Sequence, residues 1–244
     1  MKLSNMMCTL KPTVMHLGII PDGNRRFAKE NNIPLPSLVD YWIGHVIRPF
    51  IKHLLDNVSI TVDGDNCVVT SESPLREVRH LSLYVLSSEN MNRQDGSQEL
   101  GFELIRKIYA MKPTDFDERL DEGLKKLNQT VSFTPVGELH RLPADIQAIL
   151  QELRTKNTGN HFTMTIAIGY DSAKDALGLY GVRPQPDIDL VFRSGREQRL
   201  SGFFPRQTMY SELVFSDTLW PAITPEDLED AVREFRRRHR RFGK

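Results

Sequence analysis

Short apolar runs, each closed by a polar turn-forming loop and separated by longer amphipathic stretches, recur along this 244-residue chain. A strand buried on both faces reads as a near-continuous apolar run, and such strands belong to parallel sheets covered by helices. VMHLGII (14–20) is the first, followed at once by the turn PDGN (21–24) and the helix-compatible RRFAKENN. A second helix is expected from Val39 to Asn57. HLSLYVL (80–86) is another strand, ended by SSEN, with a helix over 97–111 behind it. VSFTPVG and FTMTIAIGY are two more, separated by the helical PADIQAILQELRTK, and DIDLVFR (187–193) is the last. A helix over 225–240 closes the chain, with Thr224 as its cap and Pro225 at its first position. The alternation predicts an α/β fold with a mainly parallel sheet. The length suits one domain with a large core, over 15–244 after an N-terminal tail of 1–14.

Composition excludes several classes. Lys+Arg and Asp+Glu are equal at 32 each, so net charge argues for no partner. The local basic run from Arg233 to Arg241 has few aromatics beside it for base stacking, and no nucleic-acid partner is expected. Cys8 and Cys67 are too few for a disulfide framework or a cysteine zinc site. The histidines at 16, 45, 53, 80, 140, 161 and 239 show no metal-binding spacing. No leader and no apolar stretch long enough to span a membrane is present, which points to a soluble chain in a reducing, cytoplasmic setting.

Three strands empty into PDGNRR, SSENMNR and SGREQRLS. In a parallel sheet the loops at the carboxyl ends of strands share one edge, where ligands bind. There they would bring together one carboxylate, several hydroxyls and amides, and Arg25, Arg26, Arg93, Arg193 and Arg199. Guanidinium forks match phosphate oxygens, and glycine lets backbone N–H groups approach them, so this is the chemistry of a polyanion site. Each piece alone has a plainer reading: Asp22-Gly23-Asn24 as a turn, Ser87-Ser88 as a helix cap, the arginines as a solvated face. Their joint position at strand ends carries the inference.

The segments HLGIIPDGNRRFA (16–28), LYVLSSENMNR (83–93), DLVFRSGREQRLSGFFPRQTMYSEL (189–213) and LWP with RRFG (219–221, 240–243) resemble the signature segments of cis-prenyltransferases, the undecaprenyl diphosphate synthase family. The resemblance implies a single domain with a mainly parallel six-stranded sheet flanked by helices, a hydrophobic tunnel for the growing chain, and a homodimer. It implies condensation of isopentenyl diphosphate with an allylic diphosphate, with Mg2+ as cofactor, leaving a cis double bond. Asp22 would help hold the metal, with Glu212 as a second acidic residue near it. Gly23, Asn24, Arg25 and Arg26 would cradle the allylic diphosphate, and Arg193, Arg199 and Ser201 would bind isopentenyl diphosphate. Ser87 and Asn90 would assist removal of its C2 proton, with Arg93 nearby, and His45 joins the catalytic set. Arg241 and Gly243 would complete the neighbouring subunit's site. A long product would add peripheral membrane contact.

The departures from the family pattern carry expectations of their own. Tyr41 stands where the family commonly has an arginine ahead of the Gly44-His45 pair, while Met91 and Phe27 replace tryptophans. Residues 171–186 are shorter than the family's tract, and 58–77 look like an insertion holding a β-hairpin about Asp63-Gly64-Asp65-Asn66. Val85, two residues before the first serine of SSEN, is bulkier than the alanine common in makers of long products, which predicts a narrowed tunnel and short products. Phe203-Phe204-Pro205 is similar to a segment of lavandulyl- and cyclolavandulyl-type synthases, which join two dimethylallyl diphosphates by branching. That branching activity and a silent partner subunit are the alternatives to elongation.

Overall fold

Met15–Ile20 are six consecutive buried residues and form β1, the central element of the fold. The computed structural model describes residues 15–56, 58–63, 66–71, 73–112, 115, 131–155, 162–181 and 186–240. The 1–14 segment and the expected site residues Arg241 and Gly243 lie outside them. The remaining strands are β2 (Val58–Asp63), β3 (Asn66–Ser71), β4 (Val78–Ser87), β5 (Val131–Val136), β6 (Phe162–Tyr170), β7 (Leu190–Arg193) and β8 (Glu212–Phe215). Six of them make one sheet in the order β5-β6-β4-β1-β7-β8, and every neighbouring pair is parallel. β2 and β3 stand apart as an antiparallel pair, in register from Val58 opposite Ser71 to Asp63 opposite Asn66.

The last expected strand is shorter at its start, and a further strand follows it. Asp187–Asp189 are not in the sheet: Ile188 N–H donates to Gln207 O at 2.8 Å and Asp189 N–H to His16 O at 3.0 Å. β8 lies beyond the expected last strand, pairing Leu190 with Glu212 and Arg193 with Phe215. Its four residues are all half-buried, as suits an edge strand.

Helices cover both faces. They are α1 (Asn24–Glu30), α2 (Leu38–Trp42), α3 (Arg48–Asp56), α4 (Ser97–Ala110), α5 (Ala144–Thr155), α6 (Ser172–Ala176) and α7 (Pro225–Arg237). One π-helical turn, Ile43–Ile47, joins α2 to α3, and such turns are frequent at functional sites. Because successive strand side chains alternate, Met15, Leu17 and Ile19 pack with Leu228, Ala231 and Val232 of α7, while Ile20 packs with Val191, Phe203 and Phe204 on the opposite face. α7 opens on a reciprocal capping box between Thr224 and Asp227. It ends at Arg237 rather than 240, because the extended Arg238 turns to Glu212 at 3.1 Å and Leu213 O at 2.9 Å.

Between β1 and β4 lies a buried polar group that uses no ligand. His16 is 2% exposed, with Nε2 2.8 Å from Ser82 Oγ and Nδ1 3.1 Å from Pro186 O. Burial, with the His80 ring 5.5 Å away, holds its imidazole down at about 4 rather than 6.5. The folded protein therefore keeps His16 neutral where the unfolded chain takes up a proton. Its contribution is present above pH 6.5 and is lost as pH falls towards 4, a gap of roughly 3 kcal/mol. Denaturant titrations across that window should show the loss in wild type and a flatter profile in His16→Gln; parallel profiles would remove His16 as the source.

Candidate active site

The site forms where β1, β4 and β7 end on one edge of the sheet. Gly23 takes the turn after β1 at φ 99°, a left-handed conformation that favours glycine, and a Cβ there would lie 2.7 Å from Leu219 Cδ2. The following α1 carries Arg25 and Arg26 in its first turn. Asp22 is fixed from four directions: its N–H donates to Ser194 Oγ at 3.0 Å, Ser194 Oγ–H donates to its carbonyl at 3.0 Å, Trp220 N–H donates to the same carbonyl at 2.9 Å, and Gly23 N–H donates to its Oδ1 at 2.6 Å. Gly195, at φ 92°, closes the gap, since a Cβ on it would lie 2.7 Å from the Asp22 carbonyl carbon. The loops after β1 and β7 therefore touch backbone to backbone.

Arg193, the last residue of β7, is the centre of this arrangement. It is 3% exposed, and its Nη2 donates to Asp22 Oδ2 at 2.7 Å. Nη1 donates to Ser201 Oγ at 3.0 Å and to Arg199 O, so the 194–201 loop is wrapped around the guanidinium. Its Nε–H is buried without a partner among the described residues, as is Asn24 Oδ1 two residues beyond Asp22. One orphaned donor and one orphaned acceptor thus stand beside a carboxylate that is 34% exposed. Buried polar atoms are normally satisfied, so these two mark polar groups for which the described residues supply no partner.

The other cations are held in readiness by carboxylates. Arg26 sits 3.7 Å from Asp22 Oδ1 and donates to Glu197 Oε1 at 3.4 Å and to Gly195 O. Arg199 is exposed and donates to Glu197, while Arg25 pairs with Asp95 at 2.5 Å. Surface pairs of this kind contribute little to stability and exchange readily for a stronger anion. Glu197 carries no signal of its own in a loop dominated by arginines, yet it anchors Arg26 of α1 and Arg199.

At the end of β4, Ser87 is buried and accepts a hydrogen bond from Asn90 N–H at 3.2 Å. Arg93 is exposed in the same loop. Asn92 Oδ1 accepts from Arg141 at 2.9 Å, and Arg141 pairs with Glu138 at 2.7 Å. Lys174, followed by Arg141, holds the Glu138 carboxyl below its usual range, so β5's end and α6 brace this loop. No motif marked Glu138 in the sequence.

Three expected residues stand apart from the centre. Glu212 starts β8 opposite Leu190, three residues from the Arg193 end, about 10 Å along the strands. It pairs with Arg238 at 3.1 Å, and within one chain it does not join Asp22. His45 lies in the π-turn, its ring stacked on Tyr41 at 3.9 Å and 7°, with Phe27 5.1 Å further along. That turn packs on Trp220–Ala222, one layer behind Asp22. Val85 points away from the aromatic cluster and towards α4, where its Cγ1 would be 3.1 Å from a Cβ at Gly101.

Among the described residues no three metal-ligating side chains cluster. A hard divalent cation here would be held by the Asp22 carboxylate and would complete its shell with ligand oxygens and water, the usual habit of Mg2+. The half-exposed carboxylate and the orphaned Asn24 Oδ1 supply oxygen donors of the right kind.

Residues 67–178 and 176–243 match the prenyltransferase family model described as undecaprenyl diphosphate synthase. A geranylgeranyl-diphosphate-specific tritrans,polycis-undecaprenyl-diphosphate synthase of Pyrobaculum aerophilum is 28% identical over 94% of this chain and 95% of its own. A (2Z,6Z)-farnesyl diphosphate synthase of Solanum lycopersicum is 32% identical over 93% of this chain and 78% of its own. The fold is that of lavandulyl diphosphate synthase from Lavandula x intermedia, solved with dimethylallyl diphosphate, at a TM-score of 0.68 and 22% identity over 96% of this chain and 99% of that one.

Proposed function

Because the chain belongs to the undecaprenyl diphosphate synthase family of prenyltransferases, we propose that it condenses isopentenyl diphosphate with an allylic diphosphate to give a short cis-prenyl diphosphate. The observation that carries this reading is the joining of the loops after β1 and β7 on the Asp22–Arg193 pair, with the loop after β4 tied to α1 through Arg25 and Asp95. Gly23, Asn24, Arg25 and Arg26 bind the allylic diphosphate at the start of α1, where backbone N–H groups favour an anion. Arg193, Arg199 and Ser201 bind the diphosphate of isopentenyl diphosphate. Mg2+, held by Asp22, supplies neutralisation of the leaving diphosphate.

Charge developing on that leaving group meets preorganised cations, which lowers the barrier to breaking the allylic C–O bond. The two substrates lie side by side, and their orientation supplies much of the remaining rate. Ser87 and Asn90 accept and direct the proton lost from C2, with Arg93 at the loop's outer end. His45, stacked behind the first loop, supports the allylic site rather than touching both substrates. The chain acts as a homodimer in which Arg241 and Gly243 complete the neighbouring subunit's site.

Incubation of the purified chain with labelled isopentenyl diphosphate and separate C5, C10 and C15 allylic diphosphates, followed by product mass spectrometry, tests the proposal. Extension by whole C5 units with Z geometry supports it. A branched C10 product from dimethylallyl diphosphate alone replaces it with the irregular reaction, and no product from any pair leaves a partner subunit.

Val85 sets an expectation for product length. Packed against the cluster of Leu86 and Phe102 and facing Gly101, it leaves little space between β4 and α4. Added volume in close-packed walls costs roughly 1–3 kcal/mol, so growth should stop at about C10 to C20. Val85→Ala should lengthen the product distribution. Wild-type products of C50 or more would refute the constriction, and an unchanged short product in the variant would move the stop elsewhere.

A further inference from the structure

Glu138 stands just beyond the end of β5, outside every loop that the proposed reaction uses, and is only 8% exposed. Its backbone is tied to the neighbouring strand, where Glu138 N–H donates to Gly169 O at 2.9 Å. Both carboxylate oxygens are taken: Oε1 accepts from Lys174 Nζ of α6, and Oε2 accepts from Arg141 Nη1 at 2.7 Å. Desolvating a carboxylate costs about as much as its pairing returns, so stability alone does not account for its place.

Arg141 passes this fixed geometry on. Its other amino group, Nη2, donates to Asn92 Oδ1 at 2.9 Å. Asn92 closes the one-turn helix Asn90–Asn92, in which Asn92 N–H donates to Glu89 O and Arg93 N–H to Asn90 O, both at 3.2 Å. From the same turn Asn90 N–H reaches Ser87 Oγ, also at 3.2 Å. β6 seats the loop at two further points. Ser88 N–H donates to Tyr170 O at 2.8 Å, and Met91 Sδ lies 2.7 Å from where a Cβ on Gly169 would be. The support from β6 is thus backbone and packing, while the directed side-chain tether comes from Arg141, whose orientation Glu138 sets.

We propose that Glu138 is a positioning residue for the proton-removing loop: by holding Nη1 of Arg141 it aims Nη2 at Asn92 and so fixes the turn that carries Asn90 against Ser87. The inference rests on the reading of Ser87 and Asn90 given above and extends the site to the β5 edge of the sheet. Glu138 acts through Arg141 and not on substrate. The two bonds leave one planar guanidinium in two directions, a fork that lysine at 141 would lack while keeping the charge.

The test is Glu138→Gln, which keeps the side chain's shape and removes its charge. With wild-type condensation established, the variant should retain its fold by circular dichroism and keep its allylic KM within about twofold, while kcat falls roughly 10–100-fold, the cost of misplacing a reacting group by about an ångström. The isotope effect from isopentenyl diphosphate deuterated at C2 should rise, because proton removal becomes more strongly rate-limiting; a role in folding alone would leave it where it was. In Asn92→Ala, where the tether is already lost, adding Glu138→Gln should lower kcat by less than about twofold more. If Glu138→Gln does not fold, Arg141→Lys carries the same test, since it keeps the ion pair and loses the fork, and its isotope effect must rise. An unchanged isotope effect in a folded variant, or additive losses with Asn92→Ala, overturns the inference alone. A wild-type chain that makes no product from any pair overturns the reading of the site and this inference with it.

Discussion

Asp22→Asn should fold, with a lower melting point because the buried Arg193 loses its counter-charge, and should lose turnover by roughly 10²–10³-fold at saturating substrates and Mg2+. The amide oxygen still accepts from the Arg193 guanidinium, so the bond of 2.7 Å is kept while the negative charge is removed. What disappears is the proposed seat of the metal at the end of β1. Asp22→Ala is a different experiment, because it also leaves a buried guanidinium short of one partner. It should lose turnover and, in addition, about 1–3 kcal/mol of stability by denaturant titration. Near-normal kcat for Asp22→Asn in excess Mg2+ would show that Asp22 is not the metal-side carboxylate.

Arg193→Ala should be the most damaging single change in the site, because this side chain ties the loop after β1 to the loop after β7. Removing one member of a buried, hydrogen-bonded ion pair costs about 3–5 kcal/mol. Asp22 is partly exposed, which favours the lower end of that range. Arg199→Ala offers the contrast. That side chain is exposed and among the described residues pairs with Glu197 alone, so stability should stay within about 0.5 kcal/mol. Both variants should raise the isopentenyl diphosphate KM, by roughly 10–150-fold per charge-assisted phosphate contact. Chemical denaturation and steady-state kinetics on the pair separate the two effects. A rise confined to the allylic KM would reverse the subsites.

The residues explain which parts of this structure were readable in advance. β1, β4, β5 and β6 are apolar because helices cover them, and their sequence runs say so. β8 carries no such signal: Glu212-Leu213-Val214-Phe215 is short, begins with a charge and is half-buried at an edge. The start of the last expected strand misleads for another reason, since Asp187-Ile188-Asp189 alternate like a strand but spend their hydrogen bonds on Gln207 and His16. Within the site, the loop residues were readable because strand ends converge by topology. The state of Arg193 was not. An arginine at a strand end reads as an exposed anion binder, and only the three-dimensional approach of Asp22, Arg199 and Ser201 makes it 3% exposed. Nor did spacing alone show that Glu212 would sit at the far end of its strand, paired with Arg238.

The position of β1 in the middle of the sheet governs the order in which the molecule can be assembled. Its two neighbours are β4, ending at Ser87, and β7, ending at Arg193. At about 5–20 residues per second of synthesis, roughly 5–20 s separate the emergence of those neighbours. During that interval one edge of β1 is bare, and Asp22 has no Arg193 to meet. The first loop made and one of the last made are the two halves of the same site. A chain interrupted before residue 193 therefore carries the β1 loop and the SSEN loop while Asp22 lacks its buried partner.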